Sequence, residues 1–129
     1  MSLFLVILAA GDGKRFKSAT PKPYYKVNNK TLLEHSLSAF RNLNKIKKTI
    51  IVYNKKHRKY LNKLNIKNTI KLVGGSTRQE STFKALKHIK GMNCKKILIH
   101  DAARPNPSIK LLNEIINKLK NDHAVIPII

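Results

Sequence analysis

The sequence predicts an α/β protein built on a parallel sheet, and two observations indicate this. Short, β-branched apolar runs recur at even intervals, and amphipathic helical patterns lie between most of them. Because strands and helices alternate through the whole chain, we expect parallel strands joined by right-handed crossovers. Ligands of such sheets bind beyond the carboxyl ends of the strands, so the segments that follow the strands should carry the chemistry.

Five apolar runs are predicted to form buried strands: Leu3–Leu8, Lys48–Tyr53, Thr69–Val73, Lys96–His100 and Ala124–Ile129. The first superficially resembles a signal peptide. It lacks a positively charged segment before it, however, and its apolar stretch is short. No run is long enough to span a bilayer. We therefore interpret the first run as a buried strand of a cytoplasmic protein.

Helical periodicity marks four segments: Thr31–Arg41, Lys56–Leu64, Thr77–Ile89 and Ser108–Asn121. The first begins with Thr31-x-x-Glu34, a capping box in which each side chain satisfies an exposed backbone N–H group. The third has a second candidate capping box, Thr77-x-x-Glu80. Ser108 is a suitable N-cap for the fourth.

The 129 residues correspond to one domain, residues 1–129, and 42% of them are apolar, enough for a sizeable core. The single cysteine, Cys94, excludes an intrachain disulfide and a cysteine-cluster metal site. The five histidines show no spacing typical of metal ligands.

The formal net charge is +21, from 27 Lys and Arg against six Asp and Glu. Such an excess is typical of proteins that bind nucleic acid or another polyanion. The composition offers a simpler explanation, because 22 of the basic residues are Lys and the chain also holds 15 Ile and 13 Asn. AT-rich codons produce that bias. We favour background composition and keep a selected polyanion-binding surface as the alternative.

Two glycine-containing segments follow predicted strands. Ala9–Arg15, read as AAGDGKR, can form a nest of backbone N–H groups for a phosphate, with two cations at its end. It is neither a Walker A loop nor a complete dinucleotide fingerprint, and a tight turn would also explain its glycines. Gly74–Ser81, read as GGSTRQES, ends a strand with glycines and opens a helix whose N-terminus favours an anion or a polar ligand edge. A glycine-rich turn with a helix cap is the alternative there.

A lysine stands between two prolines in the segment Thr20–Tyr24. Pro21 and Pro23 restrict the backbone on both sides of Lys22, which lowers the entropy lost when its ammonium group is positioned. Chance placement is a serious alternative in a chain so rich in lysine.

An aspartate stands at the end of the fourth predicted strand, in His100–Pro105, read as HDAARP. The carboxylate of Asp101 can hold Mg²⁺ while nucleotide phosphates complete the coordination shell. The alternative is a turn with a local ion pair between Asp101 and Arg104. We interpret His100 as a packed or hydrogen-bonded strand residue and not as a catalytic base.

These segments together resemble the 2-C-methyl-D-erythritol 4-phosphate cytidylyltransferases of the non-mevalonate isoprenoid pathway. The family motifs LAAGxGxR, PK-x-Y, LEH, GGxTRQxS and HDAARP match, in order and spacing, Leu8–Arg15, Pro21–Tyr24, Leu33–His35, Gly74–Ser81 and His100–Pro105. The resemblance implies a Rossmann-like, mostly parallel sheet with helices on both faces, of the nucleotidyltransferase type. It also implies the reaction: the phosphate of methylerythritol phosphate attacks the α-phosphate of CTP, and pyrophosphate leaves with the assistance of Mg²⁺.

The resemblance also implies site residues. Arg15 and Lys22 match the catalytic cations, and this fits the chemistry because negative charge accumulates on the α-phosphoryl oxygens in the transition state. The residues expected at the nucleotide are Ala9, Ala10, Gly11 and Gly13 in the cradling loop, Gly75, Arg78 and Ser81 around the cytosine and ribose, and Asp101 and Ala102 at the ribose, with Asp101 also at the metal.

The chain departs from the family pattern in two places. Pro23 stands where the family usually has Gln, and the sequence stops at Ile129. The family continues well beyond this point, with most residues that position methylerythritol phosphate and an arm that builds a homodimer. We therefore expect the nucleotide-binding part of the fold, cut short at its C-terminus. A shortened gene, a clipped protein and the front of a fusion with the cyclodiphosphate synthase would all explain it.

Three alternatives remain at this point. The first is a cytidylyltransferase for another polyol phosphate such as ribitol 5-phosphate, although Ala103 within HDAARP favours methylerythritol. The second is a non-catalytic polyanion-binding module, although the sequence has no RNA-binding motif. It would depend on the net charge and on a basic cluster around Tyr60, which consists of Lys55, Lys56, Arg58, Lys59 and Lys63. The third is a chain that folds but is inactive. We expect CTP and a polyol phosphate as ligands, with no specific nucleic acid and no membrane.

Overall fold

A computed structural model of the protein has a central sheet of four parallel strands. The structure describes residues 2–11, 19–41, 43, 45–104 and 108–119. Its elements are, in chain order, β1 (Leu3–Ala9), β2 (Lys26–Val27), β3 (Lys30–Thr31), α1 (Leu32–Arg41), β4 (Ile46–Tyr53), α2 (Arg58–Asn62), β5 (Thr69–Val73), α3 (Arg78–Ile89), β6 (Lys96–Asp101) and α4 (Ile109–Leu119), with 3₁₀ turns at Lys22–Tyr24 and Lys55–His57.

The sheet has the strand order β5-β4-β1-β6, and all its pairings are parallel. Four of the predicted strands and the parallel sheet are therefore confirmed. The fifth predicted strand, Ala124–Ile129, lies outside the described residues. The chain runs from β1 outward through β4 to β5 and then crosses to β6 on the other side of β1. This reversal makes the carboxyl ends of β1 and β6 a topological switch point, where ligands of such sheets bind.

Strand β1 forms the centre of the core. All seven of its residues are buried, as expected for a strand covered on both faces. Leu3, Leu5 and Ile7 pack with apolar residues of α1, α2 and α4, whereas Phe4 and Val6 pack with residues of α3 on the other face. Helices on both faces are therefore confirmed. Within the described residues, no helix is long and apolar enough to span a bilayer.

The predicted helix starts are largely confirmed. The Thr31 N–H and hydroxyl groups both donate to Glu34 Oε1 at 3.0 Å, and the Glu34 N–H donates back to Thr31 Oγ1 at 3.1 Å. At α4, Ser108 Oγ accepts the Leu111 N–H at 3.1 Å. The predicted helix Lys56–Leu64 is divided into a 3₁₀ turn and the short α2. The reason is that Asn54 caps the turn and its carbonyl accepts the His57 N–H at 2.8 Å, a three-residue spacing.

A hairpin of β2 and β3 is the element that the sequence analysis missed. Asn28 and Asn29 form its two-residue turn with positive φ angles of 53° and 66°. Such angles are typical of a type I′ turn, and asparagine tolerates them better than most residues. The Asn-Asn pair was the signal for this turn.

Candidate active site

A cavity of about 390 Å³ opens at the carboxyl ends of β1 and β6. It is called the carboxyl-end cavity below, and its lining consists of Leu8, Ala9, Ala10, Gly11, Lys22, Pro23, Gly75, Ser76, Thr77, Arg78, Ser81, Asp101 and Ala103. Eight predicted site residues are in this set: Ala9, Ala10, Gly11, Lys22, Gly75, Arg78, Ser81 and Asp101. Gly13 and Arg15 lie outside the described residues.

Ala102 is the one described site residue that does not line the cavity. It is 1% exposed, its N–H donates to Leu8 O at 2.9 Å, and its carbonyl accepts the Ser36 hydroxyl at 2.7 Å. These bonds draw Ala102 into the core, so the next residue, Ala103, faces the cavity. Four further lining residues were not predicted, although each stands within one of the motifs quoted above: Leu8, Pro23, Ser76 and Thr77.

A second cavity, of about 450 Å³, lies near the amino ends of β4 and β5 and the end of α1. None of the predicted site residues that the structure describes lines this second cavity. Because ligands of parallel sheets bind beyond the carboxyl ends of the strands, we assign the candidate active site to the smaller cavity.

Gly74 brings the loop after β5 against the loop after β1, and Gly75 beside it also has no room for a side chain. A Cβ atom on Gly74 would overlap with that of Ala10 and lie 2.7 Å from Ser81 Oγ. A Cβ atom on Gly75 would overlap with the side chain of Glu80. The Gly75 N–H donates to Ser81 Oγ at 3.0 Å, which ties this loop to α3. A side chain at position 74 would therefore displace Ala10 or Ser81 in the cavity wall, whereas one at position 75 would displace the side chain of Glu80.

The N-cap residue of α3, Thr77, lines the same cavity. Thr77 Oγ1 accepts the Glu80 N–H at 3.0 Å, so half of the predicted capping box is confirmed. The Glu80 carboxylate accepts instead from the N–H and hydroxyl of Ser76, at 3.3 and 2.9 Å. These bonds stabilise the charged form and lower the pKa of Glu80. The loop after β5 is thus a glycine-rich turn with a helix cap, which was the alternative for this segment. The same loop also lines the cavity.

Asp101 lies between two arginines at the end of β6. Its Oδ1 accepts from Arg78 Nε at 3.1 Å, and its Oδ2 accepts from Arg104 Nε at 2.9 Å. The carboxylate side chain is 26% exposed, and both arginines are mostly exposed. The pair Asp101–Arg104 is the local ion pair that we considered. The contact with Arg78, 23 positions away, joins the loop after β6 to α3 across the cavity.

His100 is packed, as expected. Its ring lies edge-on to Phe40 of α1, with 5.1 Å between ring centroids. Burial lowers the pKa of His100, and the neighbouring Asp101 opposes that shift only in part. The ring is therefore largely neutral at pH 7, on the opposite side of the strand from α3.

Lys22 begins the 3₁₀ turn at the mouth of the cavity, and its side chain is exposed. The Tyr24 N–H donates to Pro21 O at 2.9 Å, and the Tyr25 N–H donates to Lys22 O at 3.1 Å. Pro23, the departure from the family pattern, is buried within the turn. A turn closed by two hydrogen bonds, with two fixed proline φ angles, presents the ammonium group from a stiff backbone.

The basic cluster around Tyr60 does not offer a free aromatic platform. The Tyr60 ring stacks on Tyr24 with 5.5 Å between centroids, and Lys59 Nζ lies 5.5 Å from the Tyr60 centroid. Nucleic-acid bases stack on exposed aromatic rings. These contacts engage Tyr60 within the fold, so the polyanion-binding alternative gains no support from this ring and depends on the net charge.

The chain is similar to known proteins along its whole length. Residues 3–129 match the family described as 2-C-methyl-D-erythritol 4-phosphate cytidylyltransferase, IspD. The chain is 51% identical over 129 residues to the bifunctional enzyme IspD/IspF of Pelagibacter ubique (strain HTCC1062), and it covers 35% of that protein. It is 39% identical over 117 residues to the 2-C-methyl-D-erythritol 4-phosphate cytidylyltransferase of Wigglesworthia glossinidia brevipalpis; the match covers 88% of this chain and 50% of that one.

A solved structure has a similar fold. The crystal structure of the Francisella tularensis 2-C-methyl-D-erythritol 4-phosphate cytidylyltransferase superposes with a TM-score of 0.75 at 30% identity, and the match covers 95% of this chain and 54% of that one. The chain thus spans about half the length, or less, of these relatives.

Proposed function

Because the chain belongs to the 2-C-methyl-D-erythritol 4-phosphate cytidylyltransferase family, we propose that it binds CTP in the carboxyl-end cavity and transfers the cytidylyl group to methylerythritol phosphate. One observation carries the proposal. Eight residues predicted from four separate motifs line a single cavity at the switch point of the sheet. Among the described residues, its lining includes two cations, Lys22 and Arg78, and one acid, Asp101, which favours a nucleoside triphosphate.

In the proposed binding mode the loop after β1 takes the phosphates, because the small residues Ala9, Ala10 and Gly11 let them approach the backbone. The α3 side of the cavity takes the base and ribose. Gly75, Ser81 and Arg78 would lie there, with Asp101 at the ribose. The two loops are held together by the packing of Gly74 on Ala10, so we propose a largely preformed site.

In the proposed reaction an oxygen of the acceptor phosphate forms a bond to the α-phosphorus of CTP. The bond from that phosphorus to the bridging oxygen of pyrophosphate breaks, and pyrophosphate leaves with the electron pair. Lys22, and Arg15 outside the described residues, would stabilise the negative charge on the α-phosphoryl oxygens. The acceptor phosphate is already ionised, so the step needs no general base.

We further propose that Asp101 contributes to a divalent cation site for Mg²⁺. Among the described residues, no group of three or more His, Cys, Asp and Glu side chains could hold a metal. Each Asp101 oxygen accepts one bond from an arginine and retains a further lone pair. Asp101 therefore fits as a single protein ligand, with phosphates and water as the other ligands. A cation bound there would neutralise charge on the phosphates.

The reaction is tested by measuring pyrophosphate release from CTP with methylerythritol phosphate, with ribitol 5-phosphate and with no acceptor. We expect release that depends on methylerythritol phosphate, together with CDP-methylerythritol. A product from ribitol 5-phosphate alone would reassign the acceptor. If the chain binds CTP but forms neither product, cytidylyl transfer by this chain is wrong.

A cytoplasmic location and a homodimer are further proposals from the family resemblance.

A further inference from the structure

Three aromatic rings from two separate segments meet behind Lys22. Tyr24, two residues after the lysine, stacks on Tyr60 of α2 with 5.5 Å between centroids and 20° between ring planes. His57 lies edge-on to both rings, 6.1 Å from Tyr24 and 6.2 Å from Tyr60. Tyr24, His57 and Tyr60 are called the aromatic bracket below. The bracket buries Tyr24 to 3% exposure while Lys22 stays at the cavity.

The rings of the bracket hold it together, and its polar atoms contribute little. The hydroxyl group of Tyr24 and Nδ1 of His57 are both buried without a hydrogen-bond partner among the described residues. Burial also raises the pKa of Tyr24 to about 12, so its phenol stays neutral at physiological pH. An unpaired buried hydroxyl group does not stabilise the fold. Tyr24 is therefore held through its ring, by the stack on Tyr60 and by packing in the apolar core.

The segment that carries His57 and Tyr60 is hydrogen-bonded to the sheet and to the loop that lines the cavity. Arg58 Nε donates to the Tyr53 hydroxyl at 3.2 Å, at the end of β4, and its guanidinium lies 5.9 Å from the Tyr53 ring centroid. Asn54 Nδ2 donates to Ala10 O at 3.2 Å. The segment from Asn54 to Tyr60 thus contacts both the loop after β1 and the turn that carries Lys22.

We propose that the aromatic bracket positions Lys22. Two hydrogen bonds close the 3₁₀ turn, and the Leu32 N–H donates to Tyr25 O at 3.0 Å, which ties the end of the turn to the start of α1. The prolines fix the φ angles of the turn but not its placement against α2. Stacking on Tyr60 supplies that placement. An error of about 1 Å at a reacting group can lower a rate by about a hundredfold. The catalytic part of the proposal rests on the proposed function of Lys22, whereas the placement of the turn does not.

The placement is tested by amide hydrogen exchange at Tyr24 and Tyr25, whose N–H groups close the turn. We expect Tyr60→Ala to speed exchange there by at least about tenfold, while amides of β1 are unchanged. Tyr60→Phe, which keeps the ring, and Phe83→Ala, which removes an exposed aromatic ring, should change it by less than about twofold. Should Tyr60→Ala unfold the whole chain, Tyr60→Leu replaces it. Unchanged exchange at Tyr24 and Tyr25 in a folded Tyr60 variant overturns the proposal.

The catalytic consequence is tested by a double-mutant cycle on turnover. If the bracket acts through the lysine, Tyr60→Ala lowers kcat by about tenfold or more in the wild-type background but has little effect once Lys22→Ala is present. The KM for CTP should change much less than kcat. Equal effects of Tyr60→Ala in both backgrounds would overturn the positioning role. Normal turnover of Lys22→Ala itself would instead refute the proposed function of the lysine, and the exchange measurement would still decide the placement.

Discussion

Ser36→Ala tests how α1 supports the loop after β6. The Ser36 side chain is fully buried, and its hydroxyl donates to Ala102 O at 2.7 Å, across 66 positions of sequence. Ala102 directly follows Asp101, so this bond ties the candidate site to the helix that begins with the Thr31 capping box. The substitution removes the donor without adding bulk and leaves a buried carbonyl without that partner.

The expected loss follows from the burial. A buried carbonyl left unpaired destabilises a protein by about 1–3 kcal/mol. Alanine is the better helix former by about 0.5 kcal/mol, which offsets part of the loss. We therefore expect a net destabilisation of about 0.5–2.5 kcal/mol, equivalent to a Tm lower by roughly 2–9 °C for a chain of this size.

Urea unfolding followed by circular dichroism measures this change as a lower midpoint with an unaltered slope. Ser38→Ala is the matched control, because Ser38 lies on the same helix and is only partly buried. It carries the gain in helix propensity without the loss of the buried bond. If Ser36→Ala and Ser38→Ala have the same midpoint, the bond to Ala102 does not stabilise the loop and the reasoning is refuted.

The remaining predictions concern the cavity itself. Lys22→Ala should lower turnover by roughly 10²–10³, the range for losing one preorganised charge, whereas Lys56→Ala, at the surface of the basic cluster, should not; a comparable loss at Lys56 would contradict the assigned site. Arg15→Ala should also lower turnover by roughly 10²–10³, and near-normal turnover would remove it from the catalytic cations. Gly74→Ala should destabilise the fold by about 1–3 kcal/mol through overpacking and weaken CTP binding, which urea unfolding and calorimetry measure; an unchanged midpoint would show that the two loops can separate. Asp101→Asn should raise the Mg²⁺ concentration needed for half-maximal turnover, and an unchanged metal titration would exclude Asp101 as a ligand.

The main elements of the fold could be predicted because local signals and burial agree. The capping box at Thr31 and the fully apolar β1 identify a helix start and a central strand without any tertiary information. The carboxyl-end rule then indicates which loops come together. The β2–β3 hairpin was missed because its strands have two residues each, too short for a period-two pattern.

The features that could not be predicted from the sequence depend on contacts between segments that are distant along the chain. Ala102 does not line the cavity because its hydrogen bonds to Ser36 and Leu8 hold it in the core, and no local sequence pattern predicts such bonds. The ion pair between Arg78 and Asp101 depends on two loops meeting across the cavity. The stacking of Tyr24 on Tyr60 likewise joins segments 36 positions apart, and it gives the basic cluster a structural role that composition did not suggest.

Nucleotide selectivity is the most direct test of the account. The measurement is the thermal stability of the chain with CTP, UTP, ATP and GTP in turn, each with Mg²⁺ at moderate salt. A ligand that binds only the folded state stabilises it by about 2.7 kcal/mol at a hundredfold excess over Kd. We predict a clear rise in Tm with CTP, smaller rises with the other three, and loss of the CTP effect in Gly74→Ala. Equal shifts with all four nucleotides that vanish as salt is raised would mean that net charge alone binds them, and they would contradict a cytidine nucleotide site in the carboxyl-end cavity.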